Sequence, residues 1–356
     1  MDNKQAARFF LGANSPGGFY SLYDGFTDTE RDHLYILKGG PGCGKSTFMK
    51  KLGAAAESAG YFVEYIHCSG DPESLDGVYV PKLNTAYVDG TSPHVIEPAF
   101  AGSQASYVNM GAFYDPVELA SRREAIAELT GRYKGHYARA FGLLGAVKAL
   151  GGARPSEEAL AAAEKRGRGL IRREIRGHGN GKTVKRFLSA YTCLGYMAYF
   201  DTVEALADRV FVLDNDLGLG YAVIEAAARE AESRGLMAVR CQWPLRPEVT
   251  EHLILPELGL ALVSGTSELE YTGKMTRHMR LDAIPGKEEL TELKPELKRL
   301  SKLRRALTEE AVSALQDAKA AHDELEEQYI PTVDFAGLDR LAERHIGALI
   351  DRRLQF

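Results

Sequence analysis

Residues 35–52 read YILKGGPGCGKSTFMKKL. Leu34 to Leu37 form a short apolar run of the kind a buried strand needs. Ser46 to Leu52, with the alanines at 54 to 56, favour a helix. Between them stand Gly39, Gly40, Pro41, Gly42, Cys43, Gly44, Lys45 and Ser46, the spacing G-x-x-x-x-G-K-[ST]. Glycines let a backbone take positive φ and approach a ligand closely. The amides of such a loop, with a helix N-terminus behind them, attract anionic phosphate. On this reading Gly39 through Thr47 cradle phosphates, Lys45 reaches the β- and γ-phosphates, and Ser46 holds Mg²⁺.

By this motif the chain resembles the P-loop nucleoside triphosphatases, whose fold is a parallel α/β sheet. The resemblance implies ATP or another nucleoside triphosphate as ligand and Mg²⁺ as cofactor.

Composition bounds the rest. A chain of 356 residues leaves room for about two domains. Its 45% apolar and 26% charged residues suit a folded, soluble protein. A net charge of −5 gives no global basic field and makes nucleic acid an unlikely partner. Cysteines 43, 68, 193 and 241 show no C-x-x-C spacing, which argues against zinc or disulfide frameworks and for the reducing cytoplasm. MDNKQAARFFLGA at the start carries no long apolar core of a signal peptide, and no run of 18 apolar residues spans a membrane.

The chain repeats itself. An offset of 175 residues carries PESLDGVYVPKLNTAYVDGTS, Pro72 to Ser92, onto PEVTEHLILPELGLALVSGTS, Pro247 to Ser267, without a gap and with nine identities. Further pairs on either side are Gly60 with Gly235, Cys68 with Cys241, Arg8-Phe9 with Arg186-Phe187, and Tyr23-Asp24 with Phe200-Asp201. Downstream, MGAFYDPVEL (110–119) resembles LDAIPGKEEL (281–290), and both lead into amphipathic helical stretches. The expected fold is therefore α/β: two tandem P-loop-like parallel-sheet units facing each other as a pseudo-dimer, each with a helical appendage. The units are residues 1–175 and 176–356. This plan, with its glycine loop and DGTSPH (Asp89 to His94), resembles a family of uncharacterised bacterial tandem P-loop ATPase-like proteins. That resemblance implies a fold and a nucleotide, and no particular reaction.

The copies differ in an informative way. At an offset of 176, VFVLDNDLGLGYAVIEAA (210–227) meets the glycine loop. Gly42 and Gly44 meet Gly218 and Gly220, but Lys45 meets Tyr221, Ser46 meets Ala222, and Gly40 meets the carboxylate of Asp216. Asp89, at the end of the short strand Thr85 to Val88, meets Ser264, and His94 meets Leu269. Lysine, serine and aspartate disappear together while prolines and glycines remain. That separates chemistry from scaffold. Asp89 is expected to act with Lys45 and, beside Ser46, to hold Mg²⁺. Asp89 can alternatively shape the turn before Gly90. His94 and Glu97 are candidates for positioning a water or an acceptor hydroxyl, and Asp71 for a kinase-type base. For all three a plain loop or turn role is the alternative.

Other segments carry weaker signals. RGHGNGKTVKRF (176–187) contains G-N-G-K-T, but Arg176 stands where the first glycine belongs. It reads as a flexible, basic link, from which Arg172, Arg173, Arg176 or Lys182 could reach a triphosphate as an arginine finger. Gly151 to Gly169 reads as a connector or short helix. Lys287 to Tyr329 reads as charged helix, kinked or broken at Pro295, packing on the core or reaching a protein partner.

Three functions follow from these residues. The first is an Mg-ATP-dependent ATPase in the first copy, with Lys45, Asp89 and His94 catalytic and the second copy structural or regulatory. The second is a small-molecule or nucleotide kinase with Asp71, His94 and Glu97 around the acceptor. The third is a nucleotide sensor without turnover, in which the only tryptophan, Trp243, reports on coupling between copies.

Overall fold

The structure is a computed structural model that describes residues 6–27, 33–97, 102–152 and 154–351. Met1 to Gln5 of the leader read above lie outside these residues. The first copy contributes β1 (Ala6–Phe10), β2 (Gly12–Ser15), β3 (Gly18–Ser21), β4 (His33–Lys38), α1 (Lys45–Ser58), β5 (Val63–His67), β6 (Leu75–Val80), β7 (Thr85–Asp89) and β8 (Ala105–Asn109). The helices α2 (Pro116–Ser121), α3 (Arg123–Ala149) and α4 (Glu157–Glu174) follow. The second copy contributes β9 (Thr183–Arg186), β10 (Ser189–Thr192), β11 (Gly195–Ala198), α5 (Phe200–Leu206), β12 (Arg209–Asp214), α6 (Leu219–Glu232), β13 (Ala238–Trp243), β14 (Arg246–Leu255), β15 (Leu260–Gly265) and β16 (Arg277–Met279). It ends in α7 (Lys287–Tyr329) and α8 (Phe335–Ile350).

The two six-stranded sheets share one topology. The orders β1-β5-β6-β7-β4-β8 and β9-β13-β14-β15-β12-β16 match strand for strand. Each is mixed rather than wholly parallel, a correction to the expected parallel sheets. β6 and β14 run antiparallel to both neighbours. The connections into and out of these strands are too short for a crossover, so the chain can only turn back. The pivots out of them are left-handed Asn84 (φ 48) and Gly259 (φ 56).

Side-chain alternation sorts each strand between two layers. Ile36, Ile66 and Val88 meet Val210, Val212, Ile254 and Val263 in one apolar layer that both sheets share. Their neighbours Tyr35, Leu37, Val78 and Tyr87 point away, toward α1 and α8. Leu213, Leu253, Leu260 and Leu262 likewise point toward α4 and α6. A pseudo-twofold axis relates the units. Phe10 and Phe187, each two residues ahead of its hairpin, exchange both backbone hydrogen bonds, at 2.8 and 2.9 Å.

The appendages cross over. α4, from the first copy, lies on α6 of the second, and Gly167 sits so close to Val223 that a Cβ there would lie 2.1 Å from its carbonyl oxygen. α8, from the second copy, lies on α1 of the first. α3 and α7 run antiparallel, with Arg132 paired to Glu324 and Arg139 to Glu310 at 3.1 Å. Their seam is built from Ala140, Leu144 and Val147 against Ala311, Ala314 and Leu315. The small residues let the two backbones approach.

Several expectations change here. α7 is one continuous helix with Pro295 inside it, not a broken pair. Gly151 to Gly169 leads into the 18-residue helix α4, capped by the Ser156 hydroxyl. The basic link is pinned rather than flexible: the Gly179 and Gly181 amides donate to Ser233 and Glu232 at the end of α6, at 3.1 and 2.9 Å. The ladder registers set Ile66, not Cys68, opposite Cys241, because Ile66 faces Gly77 where Cys241 faces His252. By the same ladders Arg8 corresponds to Lys185 rather than Arg186. All four cysteines are free. Among the described residues no helix is long and apolar enough to cross a membrane.

Candidate functional site

Six residues, Gly39 to Gly44, join β4 to α1. Gly42 (φ 67) and Gly44 (φ 77) take left-handed backbone that side-chain-bearing residues avoid. Gly44 is the N-cap of α1, so the free amides of the first helical turn open onto the loop. Buried Cys43 fills the loop from beneath, with Sγ 2.6 Å from where a Cβ on Gly39 would lie.

Lys45 closes the loop. Its Nζ donates to the Gly39 and Gly40 carbonyls at 2.7 and 2.9 Å and lies 3.6 Å from Asp89 Oδ2. Asp89 ends β7, the strand beside β4. Its Oδ1 accepts from the Thr91 amide at 2.8 Å and the Thr91 hydroxyl at 2.6 Å. Asp89 therefore shapes the turn and also faces the lysine. Ser46 Oγ accepts from the Leu75 amide at 2.9 Å, at the mouth of β6, and Thr47 beside it is exposed. The hydroxyl and carboxylate oxygens of Ser46 and Asp89 are hard donors of the type Mg²⁺ takes, few in number as Mg²⁺ allows because it keeps much of its water.

The other candidates have partners of their own. His94 is buried with its ring between Phe19 and Tyr23, and its Nε2 lies 3.3 Å from Asp76 Oδ2. Asp71 caps its own turn through the Glu73 amide and Ser74 hydroxyl, with Lys319 at 3.6 Å. Glu97 takes the Tyr107 hydroxyl, which with Lys38 holds its carboxyl below the usual range. Arg172 and Arg173 lie on α4 over the second copy, where Arg172 forks onto Glu230 at 3.0 and 3.1 Å.

Three features escaped the sequence. The end of α7 lies across the glycine loop: Glu326 Oε1 accepts from the Gly42 amide at 3.3 Å, and Tyr329 and Ile330 crowd Gly40 and Gly42. Tyr114 donates to the Pro41 carbonyl at 3.2 Å from the other side. Asp76 stands in β6 one residue before the Gly77–Val88 pair, next to Asp89. Burial pushes its carboxyl up, His94 opposes this, and the charge of Asp89 adds to it. An acid at both Asp76 and Glu251 was a readable signal within the repeat. Nothing in the sequence tied Glu326 to a loop so far away along the chain.

The second copy differs more than its sequence suggested. Only four residues, Asn215 to Gly218, join β12 to α6. Gly218 (φ 76) takes the place of Gly44 as cap, which sets Leu219 opposite Lys45, in place of Tyr221. The carboxylate of Asp216 turns away to the Ser267 amide, at 3.0 Å. The side chain of Asn215 plugs the helix end instead. Its Oδ1 accepts from the Gly220 amide at 2.7 Å, and its Nδ2 donates to Ser264 at 2.8 Å.

No family model, curated protein or solved structure matches the chain.

Proposed function

We propose that the first copy binds a Mg-nucleoside triphosphate, most simply ATP, and hydrolyses it, while the second copy is structural or regulatory. The supporting observation is the loop itself: two left-handed glycines at a helix N-terminus, with Lys45 held between the loop carbonyls and Asp89. Phosphate oxygens would draw the Lys45 ammonium off the Gly39 and Gly40 carbonyls, since a charge-assisted contact to an anion outweighs one to a neutral carbonyl. Lys45 and the loop amides would then neutralise charge developing on the transferring phosphoryl group. Ser46 and Asp89 would hold Mg²⁺, whose charge would supply further neutralisation. The plugged second loop supports confining turnover to the first copy.

The test is phosphate release by purified protein with Mg²⁺ and ATP, beside Lys45→Ala and Asp89→Ala. Release by the wild type that disappears in both variants supports hydrolysis at this site. Tight ATP binding without release, lost in Lys45→Ala, favours a sensor or a kinase awaiting its acceptor. A wild type that neither binds nor cleaves any triphosphate refutes the reading.

A further inference from the structure

Behind the glycine loop, three segments of the first sheet bring together side chains of another chemistry. Cys68 follows β5, Asp76 lies in β6, and His94 lies in the turn after β7. The Cys68 sulfur, an Asp76 oxygen and a His94 ring nitrogen all fall within 4.8 Å of one another. Asp76 and His94 are buried.

Among the described residues no lysine or arginine lies within ion-pair distance of Asp76; the nearest basic group is His94. Among the described residues the buried His94 Nδ1 has no hydrogen-bond partner. Among the described residues Asp76 accepts from the Tyr23 hydroxyl at 3.1 Å, and the Cys68 thiol also hydrogen-bonds it. A buried carboxylate, a thiol and an imidazole brought this close make a donor set of the kind a divalent cation takes.

The second copy is an internal control. In its register, Trp243 stands for Cys68, Glu251 for Asp76, Leu269 for His94 and Phe200 for Tyr23. The acid remains, but Ser189 and Tyr196 now satisfy it with hydroxyls. The sulfur and the imidazole are lost from the same copy that lost Lys45, Ser46 and Asp89. A purely packing role for Cys68 and His94 would not tie their fate to that of the loop.

We propose that Cys68, Asp76 and His94 form a binding site for a borderline-soft divalent cation, Zn²⁺ in the first instance. One thiolate, one carboxylate and one neutral imidazole match Zn²⁺ in ligand type, and their two negative charges match its charge. Tetrahedral zinc with arms of about 2.0–2.3 Å sets its ligands roughly 3.3–3.8 Å apart. Asp76 Oδ2 and His94 Nε2 already stand 3.3 Å apart. Three protein ligands leave a fourth position for water.

The experiment uses the whole chain, freed of metal by a chelator and without nucleotide, so its result is independent of the proposed ATPase activity. Co²⁺ is titrated as a spectroscopic stand-in. The expected result is one Co²⁺ per chain with an intense sulfur-to-cobalt charge-transfer band. Cys68→Ser loses the band, His94→Gln weakens binding at least tenfold, and Cys193→Ser leaves both unchanged. If Cys68→Ser does not fold, alkylation of the wild type decides: Zn²⁺ must protect Cys68 selectively. A wild type without the band, a band that persists in folded Cys68→Ser, or unprotected Cys68 overturns the proposal.

Discussion

Glu326 makes the sharpest test of how the copies are coupled. Its carboxylate accepts from the Gly42 amide, one of the amides that a bound phosphate would claim. The contact is long, at 3.3 Å, and the side chain is about one-third exposed, with His322 Nδ1 3.8 Å away. A hydrogen bond of this kind contributes about 1 kcal/mol net. The negative charge also repels phosphate, and at a partly exposed site this adds no more than about 1 kcal/mol. Glu326→Ala should therefore tighten Mg-ATP binding by about 1–2 kcal/mol, or roughly five- to thirtyfold in Kd. Glu326→Gln removes the charge but keeps an acceptor and should fall between. Isothermal titration with Mg-ATP measures this, and Glu324→Ala, which breaks the Arg132 pair on the same helix, controls for loosening of α7. If Glu326→Ala weakens binding or changes it less than twofold while the wild type binds, α7 does not compete for the loop.

Other predictions concern the scaffold. Arg186 is buried and ion-paired to Glu64, and it also donates to the Gly25 and Phe26 carbonyls at 3.2 Å. Glu64→Ala strands that guanidinium and should cost about 3–5 kcal/mol in urea unfolding; a loss below 1 kcal/mol would mean the pair is idle. His345 of α8 packs among Tyr35, Phe48 and Tyr87, and burial, reinforced by Arg344, pushes its imidazole below the usual range. The folded state thus prefers the neutral ring. Its stabilising effect is complete above the unfolded value near 6.5 and is lost as pH falls through the folded value. His345→Gln should flatten the pH dependence of the melting temperature just below 6.5, and an unchanged slope contradicts this.

The sequence was most readable where chemistry and geometry coincide. A glycine loop with lysine constrains its strand and helix at once, so β4, α1 and β7 with Asp89 at its end were all legible. The duplication was legible because turn residues survive: Pro81 and Pro256, and Gly60 and Gly235, sit at the same pivots in both sheets. Strand direction was not legible, since a buried antiparallel strand such as β6 is as apolar as a parallel one. Neither was the helix through Pro295: the proline lies past the first turn and gives up an intrahelical hydrogen bond, and the packing of Leu293 and Leu297 on the second-copy core and of the later turns on α3 holds the helix through it. Glu326 was hidden because its role arises from tertiary approach alone. The shortened second loop was hidden because two glycines could be matched by spacing before the cap revealed which of them bends the chain.

The crossed appendages explain why a unit that has lost its loop chemistry would persist. The inner faces of both sheets form one layer, so removing the second copy exposes Phe9, Leu11, Ile36, Ile66 and Val88. Burying one such side chain contributes about 1.5–3 kcal/mol. Five of them come to about 7.5–15 kcal/mol, comparable to the roughly 5–15 kcal/mol that keeps a domain folded. The outer face fares no better, because α8 supplies Leu338, Ala342 and Leu349 to the cluster around α1. Residues 1–175 alone should therefore fail to fold, and co-expression with 176–356 should restore a one-to-one complex. Cooperative unfolding of the isolated first half as a monomer would show that its core is self-sufficient and that the second copy is kept for another reason. Failure of the half to fold, with rescue in the complex, would make the second copy a structural requirement for the loop and place α7 over it as a direct consequence of that requirement.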